Sequence, residues 1–159
     1  ARRTTVFHAV RAPSISVRSY LQRIMKYTNC STDQLVLSLI YIDKLTQKSH
    51  NHVITDLTVH RLLITAVVLA SKFASDFFYS NKFYAKIGGV TLKELNALER
   101  EFLYLLDFSL SITDDEFESY RKVILRPTRL TVARSPRSPG QQPLKRHRPT
   151  HDVRPRRGQ

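Results

Sequence analysis

Lys72 ends an apolar run, V-V-L-A-S-K-F-A over residues 67–74, and Phe73 follows it directly. A lysine at that place has two uses. It suits the negative end of a helix dipole and reaches water along its own stem, or it holds N–H donors out to a partner. The other reactive side chains stand apart. H-N-H at 50–52 offers imidazoles, but the only acid near ligand spacing is Asp56, so a loop is expected there and no metal. Cys30 is the sole thiol. Nothing around it resembles an activated nucleophile, so it is expected as a small apolar filler beside a helix cap. There is no Walker loop, dinucleotide fingerprint or acid–base constellation. The chain is therefore expected to be no enzyme and to carry no cofactor.

The charge is uneven. The 159 residues carry a formal net charge of +13. Residues 1–126 hold 17 Lys and Arg against 12 Asp and Glu, a net of +5, and residues 127–159 hold 9 against one, a net of +8. Six of the seven prolines also fall in the second segment, with few large apolar residues. Such a composition cannot bury enough surface to offset chain entropy, so 127–159 is expected to be a basic, proline-rich, disordered tail. Ser135-Pro136 and Ser138-Pro139 are minimal proline-directed phosphorylation sites, or simply common dipeptides of such a chain. K-R-H-R near residue 146 is a nuclear import signal or solvated charge. One cysteine permits no internal disulfide, which fits a reducing, intracellular setting in nucleus or cytoplasm. The opening A-R-R-T-T-V-F-H lacks a signal-peptide core, and no apolar stretch reaches membrane-spanning length.

These side chains need elements to hold them, and residues 14–126 read as helices. Ser14 or Ser16 caps a first helix to about residue 28, with Tyr20, Ile24 and Tyr27 at helical spacing. S-T-D-Q at 31–34 starts a second, whose apolar residues from Leu35 to Leu45 form too wide a stripe for one wet face. Thr58 opens a third to about Ser75. Leu62 to Ala70 is apolar except for Thr65, which makes it the candidate central helix. Its β-branched run alone suggests a strand, but its length favours a helix. A short helix near 82–87 ends at Gly88-Gly89. Thr91 and Glu94 make a capping box for a fifth helix that ends at Phe108. T-D-D-E at 113–116 starts a sixth, with its acids at the positive end of the dipole.

Three fragments carry a resemblance: L-I-Y-I-D-K-L at 39–45, L-A-S-K-F at 69–73 and L-E-R-E-F-L-Y-L-L-D-F at 98–108. In order and spacing they resemble the signatures of the cyclin box. V-H-R-L-L-I-T-A-V-V-L-A-S-K-F at 59–73, with Y-L-Q-R-I-M-K-Y at 20–27, is similar to the P/U-type branch, that of the yeast phosphate-signalling cyclin. The resemblance spans about residues 14–125. It implies an all-α fold with a single cyclin box: a five-helix bundle around a buried third helix, here with an extra C-terminal helix. It also implies a regulatory subunit that binds and activates a cyclin-dependent protein kinase. On that resemblance Lys72 and Glu99 match the lysine and glutamate that hydrogen-bond the kinase main chain beside its mobile C helix. Phe73 and Asp43 match structural residues near that interface. The family's counterpart of Asp43 pairs with an arginine of the first helix. Pro13-Ser14 fall near that arginine's place, which leaves Arg18 or Arg23 as substitutes, or Asp43 as a solvated charge. The methionine-arginine-alanine-isoleucine-leucine signature of cell-cycle cyclins is absent, and the tail cannot form a second box. A helical nucleic-acid-binding module using the basic tail is the competing expectation, with non-specific, salt-sensitive binding.

Overall fold

A computed structural model describes residues 4–127. It contains six helices and, among the described residues, no strand: α1 (Val17–Thr28), α2 (Thr32–Lys48), α3 (Val59–Ala74), α4 (Asn81–Gly88), α5 (Leu92–Leu105) and α6 (Asp114–Ile124). The all-α expectation holds. The expectations placed on residues 128–159, including phosphorylation at Ser135 and Ser138, lie outside the described residues. No helix among the described residues is long and apolar enough to cross a membrane.

Local chemistry sets the helix starts. Ser16, Ser31, Ser80, Thr91 and Thr113 each accept a bond from a backbone N–H of the first turn. Ser31 with Gln34 and Thr91 with Glu94 close full capping boxes. The expected box at Thr91 is therefore present. The carboxylate of Glu94 sits below its usual range, chiefly because it accepts from the Thr91 backbone N–H. Asn29 and Gly89 end α1 and α4 in the left-handed conformation. Gly88 is required for a different reason. A Cβ there would lie 2.6 Å from Ile64 Cγ1 of α3, and its carbonyl accepts from the Tyr20 hydroxyl of α1 at 2.8 Å. One glycine thus lets α1, α3 and α4 meet.

α3 is the hub. It packs against α1, α2, α4 and α5, and every residue from Leu62 to Ser71 is buried. A helix buried all round must be apolar all round. Its one mid-helix polar residue, Thr65, donates to the carbonyl of Arg61 at 2.6 Å. α6 buries no residue fully and lies on α2. The ion pair Lys44–Glu116 at 2.9 Å and partly buried Phe117 join it there. Residues before position 14, where the domain is expected to begin, also pack. Phe7 is buried edge-on against Phe102 of α5, with ring centroids 5.9 Å apart, and Ala9 N–H donates to Leu57 O at 2.8 Å.

The imidazole of His52, from H-N-H, is held in this packing. It meets Phe7 edge-on at 5.7 Å and Ser49 Oγ at 2.6 Å. Burial lowers its proton affinity below the ordinary value of 6.5, Glu101 opposing and His8 adding to the shift. The fold therefore prefers neutral His52. Above pH 6.5 this contribution is complete; as pH falls through that value the unfolded chain takes up the proton first, and stability is lost until the folded value is passed. The melting temperature is expected to fall between pH 7 and pH 5, and less steeply in His52→Gln than in wild type. Parallel slopes for the two proteins would contradict it.

Candidate partner-binding face

The last turn of α3, the first residue of α4 and the middle of α5 converge on one carboxylate. Lys72 Nζ lies 2.7 Å from Glu99 Oε1. Asn81 Nδ2 donates to Glu99 Oε2 at 2.7 Å and to Asn96 Oδ1 at 2.8 Å. The two side chains picked out from the sequence, 27 positions apart, are therefore brought together. Lys72 is 31% exposed and Glu99 14%. The pair is anchored on its protein side and open on the other. An ammonium has three donors and an ionised carboxylate about four acceptor positions, so capacity remains on both after the internal bonds. A donor and an acceptor side by side on a rigid base match the N–H and C=O edges of a main chain. Such charge-assisted bonds are stronger than neutral ones.

Aromatic surface flanks the pair. The loop 75–80 joins α3 to α4 and reads S-D-F-F-Y-S. Ser75 Oγ accepts from the Phe77 N–H at 3.2 Å and donates to the Phe77 carbonyl at 2.9 Å, fixing a tight turn. Phe77 is 90% exposed and Phe78 52%. Phe73 and Tyr79 are also exposed, and Tyr79 stacks on Phe83 with centroids 4.3 Å apart. Two hollows border the loop. One, of about 560 Å³, is lined by Gln34, Phe77, Phe78 and Tyr79. The other, of about 570 Å³, is lined by Leu37, Phe73, Ile112 and Phe117. Large exposed apolar patches with a polar rim mark interaction surfaces.

Asp43 needs a correction. No arginine of the first helix reaches it. Asp43 Oδ2 accepts from Gln47 Nε2 at 2.8 Å and, in a short bond, from the Tyr120 hydroxyl of α6. That bond raises the proton affinity of Tyr120. Arg23 instead lies over the Tyr20 ring, 5.1 Å from its centroid. Asp43 thus ties α2 to α6. Cys30 is buried beside the α2 cap, and burial pushes its thiol up to about 11, so it is not a nucleophile at neutral pH. Among the described residues no group of three metal-ligating side chains gathers, at H-N-H or elsewhere.

Residues 1–110 match the cyclin family profile. The chain belongs to the cyclin family. It is 42% identical to Cyclin-U4-1 of Arabidopsis thaliana over 87% of this chain and 71% of that protein. It is 49% identical to Cyclin-U1-1 of Arabidopsis thaliana over 72% of this chain and 54% of that one. With Cyclin-P3-1 of Oryza sativa subsp. japonica it shares 44% over 84% of this chain and 56% of the relative. The chain thus spans little more than half the length of two of these relatives. The P/U-type resemblance holds, and so does the cyclin box, over residues 1–110. Membership of the cyclin family implies a regulatory role.

Three features escaped the sequence. Asn81 lies just outside the short helix expected near 82–87, yet it orients Glu99. Tyr120 lies 77 positions from Asp43 and nothing local connects them. The F-F-Y run was visible as letters. Three consecutive aromatics between two helix caps, in a loop too short to bury them, are the signal that finds them.

Proposed function

We propose that this cyclin binds a cyclin-dependent protein kinase through the face around Lys72 and Glu99, and activates it by holding the kinase's mobile C helix in the active position. The observation that carries this is the Lys72–Glu99 pair, 2.7 Å apart, part-buried at the α3–α5 seam and bordered by exposed aromatic side chains. Kinase activation requires the C-helix glutamate to meet the ATP-orienting lysine. A partner that binds only the conformer with that helix inward shifts the population toward it. Main-chain recognition by Lys72 and Glu99 supplies register. Phe73, Phe77, Phe78 and Tyr79 supply apolar area to be buried. A partner of this kind is intracellular, in nucleus or cytoplasm.

Capture from a native extract followed by a peptide-phosphorylation assay tests the reading. The chain alone is expected to phosphorylate nothing. With the captured kinase it is expected to raise activity well above that of the kinase alone. Nucleic acid recovered through residues 127–159 in place of a kinase, in a strongly salt-dependent manner, would move the function to the competing module. A second variant addresses the aromatic rim. Phe77→Ala with Phe78→Ala removes two exposed rings, so the melting temperature is expected to stay unchanged. Burying a phenylalanine is worth about 1.5–3 kcal/mol, so kinase affinity is expected to drop at least tenfold. Unchanged affinity would exclude this loop from the contact.

A further inference from the structure

A second site lies at the opposite end of α3. Arg61 and Lys72 are eleven residues apart on that helix, about 16 Å at 1.5 Å per residue. Here a cavity of about 220 Å³ is lined by Tyr20 and Arg23 of α1, His60 and Arg61 of α3, Gly89, and Glu94 of α5. Among the described residues five buried side-chain polar atoms have no hydrogen-bond partner in the protein. Three of them, Arg23 Nε, His60 Nδ1 and Arg61 Nε, belong to residues lining this one cavity. Such orphans are few in folded proteins, and each calls for a partner.

The orphans are held in place. The Arg23 guanidinium lies over the Tyr20 ring, whose hydroxyl is tied to Gly88 O. The same ring meets His60 edge-on at 4.8 Å. His60 Nε2 faces the Ile15 carbonyl at 2.9 Å. A carbonyl only accepts, so Nε2 carries the hydrogen and Nδ1 of the neutral ring is itself an acceptor that offers nothing to an anion; the free donors of the cavity are the Nε–H groups of Arg23 and Arg61. Arg61 reaches Glu94 Oε1 through Nη2 at 2.7 Å and the His8 carbonyl through Nη1 at 3.3 Å. Two guanidiniums therefore face one carboxylate, and the cavity remains positive after its internal pair is formed. Its volume is below the range of about 300–1,000 Å³ that takes a drug-sized ligand, so it suits a small head group. Arginine is the side chain suited to phosphate, and a phosphoryl dianion offers more acceptor oxygens than a carboxylate.

We propose that this cavity is an anion site that takes a phosphoryl group. The group is either inorganic phosphate or the phosphomonoester of a phosphorylated serine or threonine on a protein segment. The proposal does not depend on kinase binding at the other end of α3.

Isothermal titration of the full chain with inorganic phosphate, with a phosphoserine peptide, with its unphosphorylated twin and with succinate tests it. The phosphate-bearing probes are expected to bind. Arg23→Gln stands outside the Arg61–Glu94 pair and is expected to weaken them by about tenfold or more. Glu94→Gln keeps a capping-box residue and an acceptor for Arg61 while removing a negative charge. It is expected to tighten binding several-fold, a gain that a misfolded variant cannot imitate. Tighter binding of the phosphopeptide than of phosphate assigns a protein-borne group; the reverse assigns the free ion. Binding of neither, affinity unchanged by Arg23→Gln and Glu94→Gln, or succinate binding as tightly as phosphate would overturn the proposal.

Discussion

The double variant Lys72→Glu, Glu99→Lys is expected to fold as wild type does and to recover no kinase. Swapping the two charges leaves an ion pair between α3 and α5 where one already stands at 2.7 Å. Asn81 has a buried, unpartnered Oδ1, so its amide can turn and accept from the new ammonium, with the Asn96 amide turning alongside so that its Nδ2 donates to that oxygen. The interior is thus re-satisfied. The outer edge is not: the donor now faces the partner's donors and the acceptor its acceptors. Breaking one buried charged contact at an interface costs about 2–5 kcal/mol, so two reversed together weaken binding by roughly a thousandfold or more. Affinity capture read alongside circular dichroism decides it. Equal recovery of the same kinase by both proteins would keep a kinase partner and remove these two residues from the contact. The single variant Lys72→Glu is less informative, because it places two carboxylates together and disturbs the fold itself.

Phe102→Ala is expected to cost about 3–5 kcal/mol of folding stability, a large share of the roughly 5–15 kcal/mol that holds an ordinary domain together. Phe102 is fully buried on α5. Its ring also seats Phe7, so truncation leaves a void and loosens the N-terminal segment at once. Urea unfolding is expected to show a midpoint lower by roughly 2 M with little change in slope. A loss below about 1 kcal/mol would mean that α5 and residue 7 close the gap between them.

The helices were legible because their signals are local. Ser31 with Gln34 and Thr91 with Glu94 place a hydroxyl and a returning side chain three residues apart, and both boxes form. The apolar run of α3 required burial on every side, and α1, α2, α4 and α5 surround it. That Lys72 and Glu99 serve one contact was an expectation from the family's pattern alone; their ion pair was not foreseen, since no periodicity links positions 27 apart. Asp43 shows the limit. The family's pattern offered an arginine of α1 or else a solvated charge, whereas Asp43 accepts from Gln47 of its own helix and from Tyr120 of α6, 77 positions away. Phe7 escaped for a similar reason. A lone phenylalanine in a polar segment gives no sign that a pocket beside Phe102 is waiting for it. The cavity of Arg23, His60 and Arg61 is also invisible in the letters, because it is defined by bonds those side chains do not make.

The helix at the centre is the exception at its own start. Thr58 makes no side-chain bond to the first turn of α3, unlike the hydroxyls that open the other five helices. The most apolar helix is thus the one least defined by itself. Nucleating a helix is costly without either a cap or a packed face, so α3 depends on its neighbours to exist. One of them, α5, is completed only at Leu105, some thirty residues after α3 ends. At about 5–20 residues per second, a ribosome leaves that surface uncovered for roughly 2–6 s. During synthesis this is the interval of greatest exposure to aggregation, and residues 62–70 are the segment a chaperone would meet.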